Sequence, residues 1–216
     1  MRLALTCALL ALLITGCGGV AGDDRPDEEA TLLLDSRPAA VHAGIFLATE
    51  RGYDEAEGVE LEVRRPGASA DVARRLDSGR ADMALLSLRE LARARERGDD
   101  LVCVYAVVQP PRLVLCVKRT TLEDRRALVR AAIRGLQRGY AQAQVEPDSA
   151  VAAVLAETPS ADRGQLASQL DRVSPSFTAG VRAPGELRPE ALRRLAPRLD
   201  VDKAFDFDQV GPVRNP

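Results

Sequence analysis

The stretch LLLDSRPAAVHAGIFLATERGY, residues 32–53, decides the fold of this 216-residue chain. It opens with a short apolar run that ends in an acid and a turn, which is typical of a buried β-strand. The residues from 42 onward predict a helix that stops at Gly52, because glycine commonly ends helices. The stretch therefore predicts a strand that is closely followed by a helix.

The same alternation continues as far as residue 109. Residues 59–63 (VELEV) alternate like a strand and break at Pro66-Gly67. Further elements are predicted as a helix at 69–76, a strand at 81–87, a helix at 88–97 and a strand at 101–108. Strands and helices that alternate over short links predict an α/β fold, with a mostly parallel sheet and helices on both faces.

Ligands of such sheets bind outside the carboxyl ends of the strands. Four predicted strand ends of this chain deliver polar, small or conformationally special residues to that edge. They indicate a binding site for a small molecule. The candidate ligand-binding residues there are Asp35, Arg37, Gly67, Ser69, Ser87 and Gln109.

Several of these residues have both a ligand-binding and a structural interpretation. Arg37 would hold a sulfonate, phosphate or carboxylate in a bidentate grip, with Asp35 beside it. The alternative is that these two side chains pair with each other. Ser69 is predicted to cap the helix that follows it, whose free N–H groups also suit an anion. Gly67 would let the backbone turn tightly there, and Ser87 would contact the ligand or cap the next helix.

Six short phrases of the chain carry a family resemblance: LDSRP (34–38), HAGIFLA (42–48), RGY (51–53), EGVELEV (57–63), PG (66–67) and SGRADM (78–83). With them, the chain resembles the solute-binding proteins of ABC importers for thiamine pyrimidine precursors, nitrate, sulfonates and taurine. The resemblance implies a type II periplasmic-binding-protein fold, a small-molecule solute, and permease and ATPase partners.

Two residues are judged by this resemblance. His42 matches a histidine of the family phrases and is therefore a further candidate ligand-binding residue, the alternative being a packed or capping histidine. Ser36 stands where pyrimidine binders of the family carry an aromatic side chain. The missing stacking surface argues against a flat pyrimidine as the solute.

Relatives normally cross into a second α/β lobe after the position of Gln109. Here residues 111–117 already resemble the strand that returns from that lobe. Helices are predicted to follow at 128–140, 148–157, 161–173 and 189–197. The sequence thus predicts a single lobe at residues 31–216, whose mostly parallel sheet contains one antiparallel strand. The lobe consists of a first segment (31–109) and a return strand with C-terminal helices (111–216).

The N-terminus predicts a lipoprotein signal peptide at residues 1–16, because a short positive start precedes an apolar run that is too short to span a bilayer. Cys17 follows small residues as in a lipobox, and the alternative is an ordinary signal peptide with a chance cysteine. Residues 17–30 predict a flexible tether. These features predict an exported protein that is lipid-anchored at the outer face of the bacterial cytoplasmic membrane.

Cys103 and Cys116 lie on two apolar runs that a Gln-Pro-Pro-Arg turn separates. In a hairpin that brings Val108 opposite Pro111, the two cysteines face each other and can form a disulfide, which an exported protein permits. The alternative is two buried thiols that act as small hydrophobes.

Composition narrows the possible functions. The 30 basic residues are opposed by 32 acidic ones, so nucleic acid binding is not predicted. A single histidine and the absence of a CxxC spacing give no metal site, and no cofactor is predicted. An enzyme is not predicted either, because a Ser-His-Asp set cannot be assembled around the single histidine, His42. The two lysines, Lys118 and Lys203, also lie far from His42 in the sequence.

The sequence thus predicts an extracytoplasmic, membrane-anchored solute-binding component of an ABC importer. Its solute would be a small polar or anionic organic molecule of the thiamine-precursor, sulfonate or nitrate-like class. The alternative is a degenerate binding fold that serves as an interaction or regulatory lipoprotein without transport.

Overall fold

The computed structural model of the protein describes residues 28–67 and 71–211. The predicted signal peptide, Cys17 and Ser69 lie outside these ranges. The described residues form a five-stranded sheet in the order β2-β1-β3-β5-β4. The strands are β1 (Glu28–Leu33), β2 (Val59–Arg64), β3 (Met83–Ser87), β4 (Leu101–Ala106) and β5 (Leu113–Lys118).

Strand directions confirm the predicted mixed sheet. β1 pairs parallel with both β2 and β3, whereas β5 pairs antiparallel with both β3 and β4. Four strands therefore run in one direction and β5 runs in the other. The tether predicted at residues 17–30 is wrong for its last three residues. Glu28, Glu29 and Ala30 belong to β1 and pair with β2.

Helices cover both faces of the sheet. One face packs against α1, α5, α6 and α7, and the other packs against α2, α3, α8 and α9. The helices are α1 (Ala43–Glu50), α2 (Val72–Asp77), α3 (Leu88–Glu96), α4 (Arg119–Asp124), α5 (Arg126–Val145), α6 (Pro147–Glu157), α7 (Arg163–Val173), α8 (Pro189–Leu195) and α9 (Val201–Ala204).

The two faces follow from alternation along the strands. Leu32 and Leu34 point into the α1/α5 layer, whereas Leu33 between them points into the α2/α3 layer. A bulge in β4 interrupts this rule, since the register shifts between Cys103 and Tyr105. Val104 and Tyr105 consequently lie on the same face, against the α1/α5 layer.

The connection between β4 and β5 is short, and residues 107–112 form it without a strand or helix of their own. No second lobe is therefore inserted at this point of the described chain. Cys103 and Cys116 are directly opposite each other on β4 and β5 and are joined in a disulfide. Within the described residues, no helix is long and apolar enough to cross a membrane.

Asp54 is a buried carboxylate in the loop between α1 and β2, with only 2% of its surface exposed. One of its oxygens accepts the Leu61 N–H at 2.9 Å, which ties this loop to β2, and the other has no hydrogen-bond partner among residues 28–67 and 71–211. Burial raises the pKa of Asp54 above the ordinary 3.8, although the backbone N–H of Leu61 lowers it in part. The folded protein thus holds the Asp54 proton more tightly than the unfolded chain does.

The raised pKa of Asp54 predicts a specific pH dependence. Its contribution to stability is fully present below pH 3.8 and is lost as the pH rises through the folded-state value. Asp54→Asn keeps the hydrogen-bond acceptor but cannot ionise. We expect the two proteins to unfold with similar free energies below pH 3.8 and the variant to be the more stable one at pH 7. Denaturant unfolding at a series of pH values measures this, and parallel curves for both proteins would contradict it.

Candidate functional site

Four strand ends meet at one edge of the sheet, as the sequence predicted. β1, β2, β3 and β4 all run toward this edge, and β5 starts from it. The order of the strands determines which of the end residues become neighbours. β1 lies between β2 and β3, so Asp35 after β1 and Ser87 at the end of β3 belong to adjacent strands.

The centre of this edge is a contact between Asp35 and His42. The Nε2 atom of His42 lies 2.8 Å from Oδ1 of Asp35, and the Nδ1 atom accepts the Ala39 N–H at 3.1 Å. Because Nδ1 acts as an acceptor, the ring proton is on Nε2 and is donated to the carboxylate. His42 is fully buried, whereas the Asp35 side chain is 24% exposed. The histidine therefore orients the carboxylate, and the carboxylate faces solvent.

The backbone next to His42 is held in place by a hydrogen bond from helix α5. The Tyr140 hydroxyl of α5 donates to the Val41 carbonyl at 3.0 Å. Full burial raises the pKa of Tyr140 well above 10.0, and the charge of Asp35 raises it further. Tyr140 stays protonated and a donor at all physiological pH values. The sequence predicts only that Tyr140 belongs to a helix at residues 128–140, and its hydrogen bond to the Val41 carbonyl was not predicted.

Arg37 projects from the turn after β1 and is exposed. The predicted alternative, an Asp35–Arg37 pair, is wrong for the described residues, since the contact of the Asp35 side chain is with His42. Ser36, between them, donates only a long hydrogen bond of 3.4 Å to the Arg37 carbonyl. The edge thus offers an oriented carboxylate and an exposed guanidinium from one short turn.

The Ser87 side chain caps the N-terminus of helix α3. Its hydroxyl accepts the Glu90 N–H at 3.2 Å, and the Glu90 carboxylate accepts both the Ser87 N–H at 2.8 Å and its O–H at 2.7 Å. This reciprocal arrangement is a capping box. The structural interpretation of Ser87 is the one observed. The Ser-x-x-Glu spacing in the sequence is the signal that identifies it.

The predicted cap at Ser69 was wrong. Helix α2 begins at Val72, and its cap is Asp71, whose carboxylate accepts the Arg74 N–H at 3.1 Å. The helix has six residues, which is too short for a helix-dipole anion site of the predicted kind. Gly67 lies exposed in the loop that leads to it.

Gln109 does not lie beside Asp35 at the sheet edge. It follows β4, which is separated from β1 by β3 and β5, a distance of roughly 14 Å at the usual strand spacing. Its side chain is buried and donates to the Glu186 carbonyl at 2.6 Å, and its backbone N–H donates to Ser176. Gln109 therefore fixes the C-terminal segment to the sheet edge and does not face the solvent there.

Comparisons with known proteins agree with this architecture. The ligand-binding component of an ABC-type import system from Staphylococcus aureus superimposes with a TM-score of 0.63 at 9% identity, covering 86% of this chain and 97% of the other. The periplasmic aliphatic sulphonate binding protein SsuA of Escherichia coli gives a TM-score of 0.62 at 10% identity, covering 88% and 95%. At such identities the likeness shows the fold, which is that of the periplasmic binding proteins.

Sequence similarity narrows the class. Residues 39–113 match the family described as NMT1/THI5 like. The formylaminopyrimidine-binding protein of Halalkalibacterium halodurans is 32% identical over 105 residues, 48% of this chain and 32% of that protein. The 4-amino-5-hydroxymethyl-2-methylpyrimidine phosphate synthase THI12 of Saccharomyces cerevisiae is 30% identical over 84 residues, 39% of this chain and 25% of the yeast protein. The resemblance stated from the sequence is confirmed, and it covers about a third of these relatives' length or less.

Proposed function

We propose that the protein is the solute-binding component of an ABC importer, and that its solute contacts the sheet edge at Asp35. The observation that supports this most directly is the Asp35–His42 contact, because a fully buried histidine holds a partly exposed carboxylate in a fixed orientation. Both residues belong to the part of the sequence that resembles known solute-binding proteins, and His42 lies within the matched family segment.

The chemistry of the edge favours a small polar organic solute. The Asp35 carboxylate accepts hydrogen bonds from amino or hydroxyl groups, and the exposed Arg37 guanidinium suits a sulfonate, phosphate or carboxylate. A solute with a donor at one end and an acid group at the other would engage both. Aminosulfonates such as taurine have both groups, whereas a thiamine pyrimidine precursor offers amino and hydroxyl donors to Asp35 alone.

The single lobe determines how such a solute is held. Small-molecule sites generally enclose about 70–90% of the ligand surface. The edge of one sheet covers one side only, so the permease or a second copy of the chain would cover the other. We further propose that the protein is exported and held at the membrane by lipid on Cys17, with a permease and an ATPase as partners.

Binding is favoured over catalysis by the position of the lysines. The fungal relatives are named as pyrimidine phosphate synthases, and catalysis at this edge would need a further reactive side chain, such as a lysine, beside His42. Here Lys118 ends β5, which runs away from the Asp35 edge, and Lys203 lies in α9 on the other face of the sheet. Neither lysine is beside His42. The alternative to transport is an interaction or regulatory lipoprotein that uses the same edge for a protein contact.

A thermal-shift screen of the chain starting after Cys17 tests the proposed function. The panel contains aminopyrimidines, thiamine, taurine, alkyl sulfonates, nitrate and aromatic acids. A ligand at 100 times its dissociation constant adds about 2.7 kcal/mol of stability, which corresponds to roughly 5–10 °C for a domain of this size. We expect one chemical class to shift the melting temperature. No shift across the panel with a folded protein would favour the interaction module.

A further inference from the structure

A second cleft opens on the other face of the same lobe, between α3 and the segment that joins α8 to α9. Its volume is about 790 Å³, which lies within the range of small-molecule sites, about 300–1,000 Å³. We propose that this cleft binds an amphiphilic organic anion, a molecule with a phosphate or sulfonate head on an apolar body. The proposal does not depend on the function proposed for Asp35.

Four arginines line the cleft: Arg89, Arg93, Arg112 and Arg198. The acidic side chain among the lining residues is Glu90, which is already engaged by Ser87 in the α3 capping box. Among the described residues, none of the four guanidiniums forms a salt bridge, in a protein whose formal net charge is −2. The cleft is therefore a concentrated region of positive charge in a slightly acidic protein.

The two arginines on α3 lie at positions where the helix dipole and their mutual repulsion are unfavourable. Arg89 is in the first turn, at the positive end of the helix dipole, and Arg93 follows one turn later on the same face. Like charges at this spacing repel each other. A bound anion would remove both penalties, because each guanidinium offers paired donors to phosphate or sulfonate oxygens.

An apolar surface lies beside these arginines. Leu88, Leu195, Leu199 and Pro197 line the same cleft. Leu195 is 38% exposed and is one of two large apolar side chains exposed in the described part of the chain, the other being Val145 at the end of α5. An exposed leucine in a cleft that arginines also line matches a ligand that has an apolar body as well as an acid group.

The cleft shares the sheet edge with the Asp35 site at Ser87, but its other walls lie toward the opposite face of the sheet. The helices α3, α8 and α9 pack on the face of the sheet that contains Leu86 and Leu192, whereas His42 sits with α1 and α5 on the opposite face. Ser87 lines the cleft through its position at the end of β3. The two sites can therefore be tested by separate substitutions.

Titration calorimetry with octyl phosphate below its critical micelle concentration tests the proposal. Inorganic phosphate supplies the head alone, and octanol supplies the chain alone. We expect octyl phosphate to bind at least about tenfold more tightly than either. The variant Arg93→Gln/Arg112→Gln should weaken its binding by about tenfold or more, because two charge-assisted contacts are lost. Circular dichroism checks that both exposed substitutions leave the fold intact.

A control variant makes the result specific. Arg163→Gln/Arg172→Gln removes the same charge from exposed positions on α7, and this variant should bind octyl phosphate as the wild type does. Equal weakening by the α7 variant, or phosphate binding as tightly as octyl phosphate, would overturn the proposal in favour of a diffuse charge effect. Binding of phosphatidylglycerol vesicles or of a glutamate-rich peptide without binding of octyl phosphate would overturn it in favour of a membrane or protein partner.

Discussion

Gly139→Ala is expected to lower the free energy of unfolding by about 3 kcal/mol, a drop in melting temperature of roughly 6–12 °C. A Cβ atom on Gly139 would lie 2.0 Å from the Gly44 carbonyl oxygen and 2.7 Å from the Ala48 Cβ. Backbone atoms cannot rotate away as a side chain does, so α1 and α5 would have to separate. Thermal and denaturant unfolding of the variant measure the loss.

Gly164→Ala is the matched control for this substitution. Gly164 lies in α7, where an added Cβ would meet nothing nearer than an Asp162 carboxylate oxygen at 3.4 Å. Alanine is favoured over glycine in a helix by up to about 1 kcal/mol, so this variant should be as stable as the wild type or slightly more so. If Gly139→Ala behaved like Gly164→Ala, the close approach of α1 to α5 would be wrong.

The double variant Cys103→Ala/Cys116→Ala is expected to lose about 2–3 kcal/mol of unfolding free energy. The disulfide closes a loop with a sequence separation of 13 residues across neighbouring strands. Its loss lets the unfolded chain sample more conformations. Denaturant unfolding with and without a phosphine reductant measures the effect.

The reductant provides the control for the disulfide. It should bring the wild type close to the double variant, and it should leave the double variant unchanged. Wild-type stability that did not respond to reductant, together with a double variant as stable as the wild type, would contradict a bonded pair.

The alternating pattern of the sequence predicted the sheet well. The runs around Leu32, Val59, Met83 and Leu101 are apolar or alternate, so β1, β2, β3 and β4 could be anticipated as strands. The first three runs are each followed by a helical stretch, which favoured parallel pairing. The position of the antiparallel β5 came from the family resemblance at the return strand. Tertiary pairing, which alternation does not encode, fixed the order β2-β1-β3-β5-β4.

The register of the β4–β5 hairpin could not be predicted correctly by counting residues outward from the turn. The expected pairing of Val108 with Pro111 differs from the structure, where Ala106 pairs with Val114 and the Val107 N–H bonds to the Leu113 carbonyl. The register near the turn is thus displaced by one residue. The bulge at Val104 shifts the register back by one residue, so that Cys103 faces Cys116 as predicted.

The site residues could be predicted only in part. Asp35 and His42 were both identified, but their direct contact depends on a turn of the chain that spacing alone does not give. Asp71 and Ser69 are equally suitable helix caps by residue type, and packing of Val72 against the sheet chose the later one. The arginine cleft escaped prediction because charge totals do not show where charges meet.

Titration of the best solute from the screen into the wild type and Asp35→Asn tests the central claim most directly. Asparagine keeps an oxygen for the His42 N–H but removes the charge, so the fold should persist while the solute loses a charged partner. We expect the dissociation constant to rise by about tenfold to a hundredfold, and Asp171→Asn, an exposed change on α7, to have no effect. Equal affinity of the Asp35→Asn variant and the wild type would contradict a solute site at this edge.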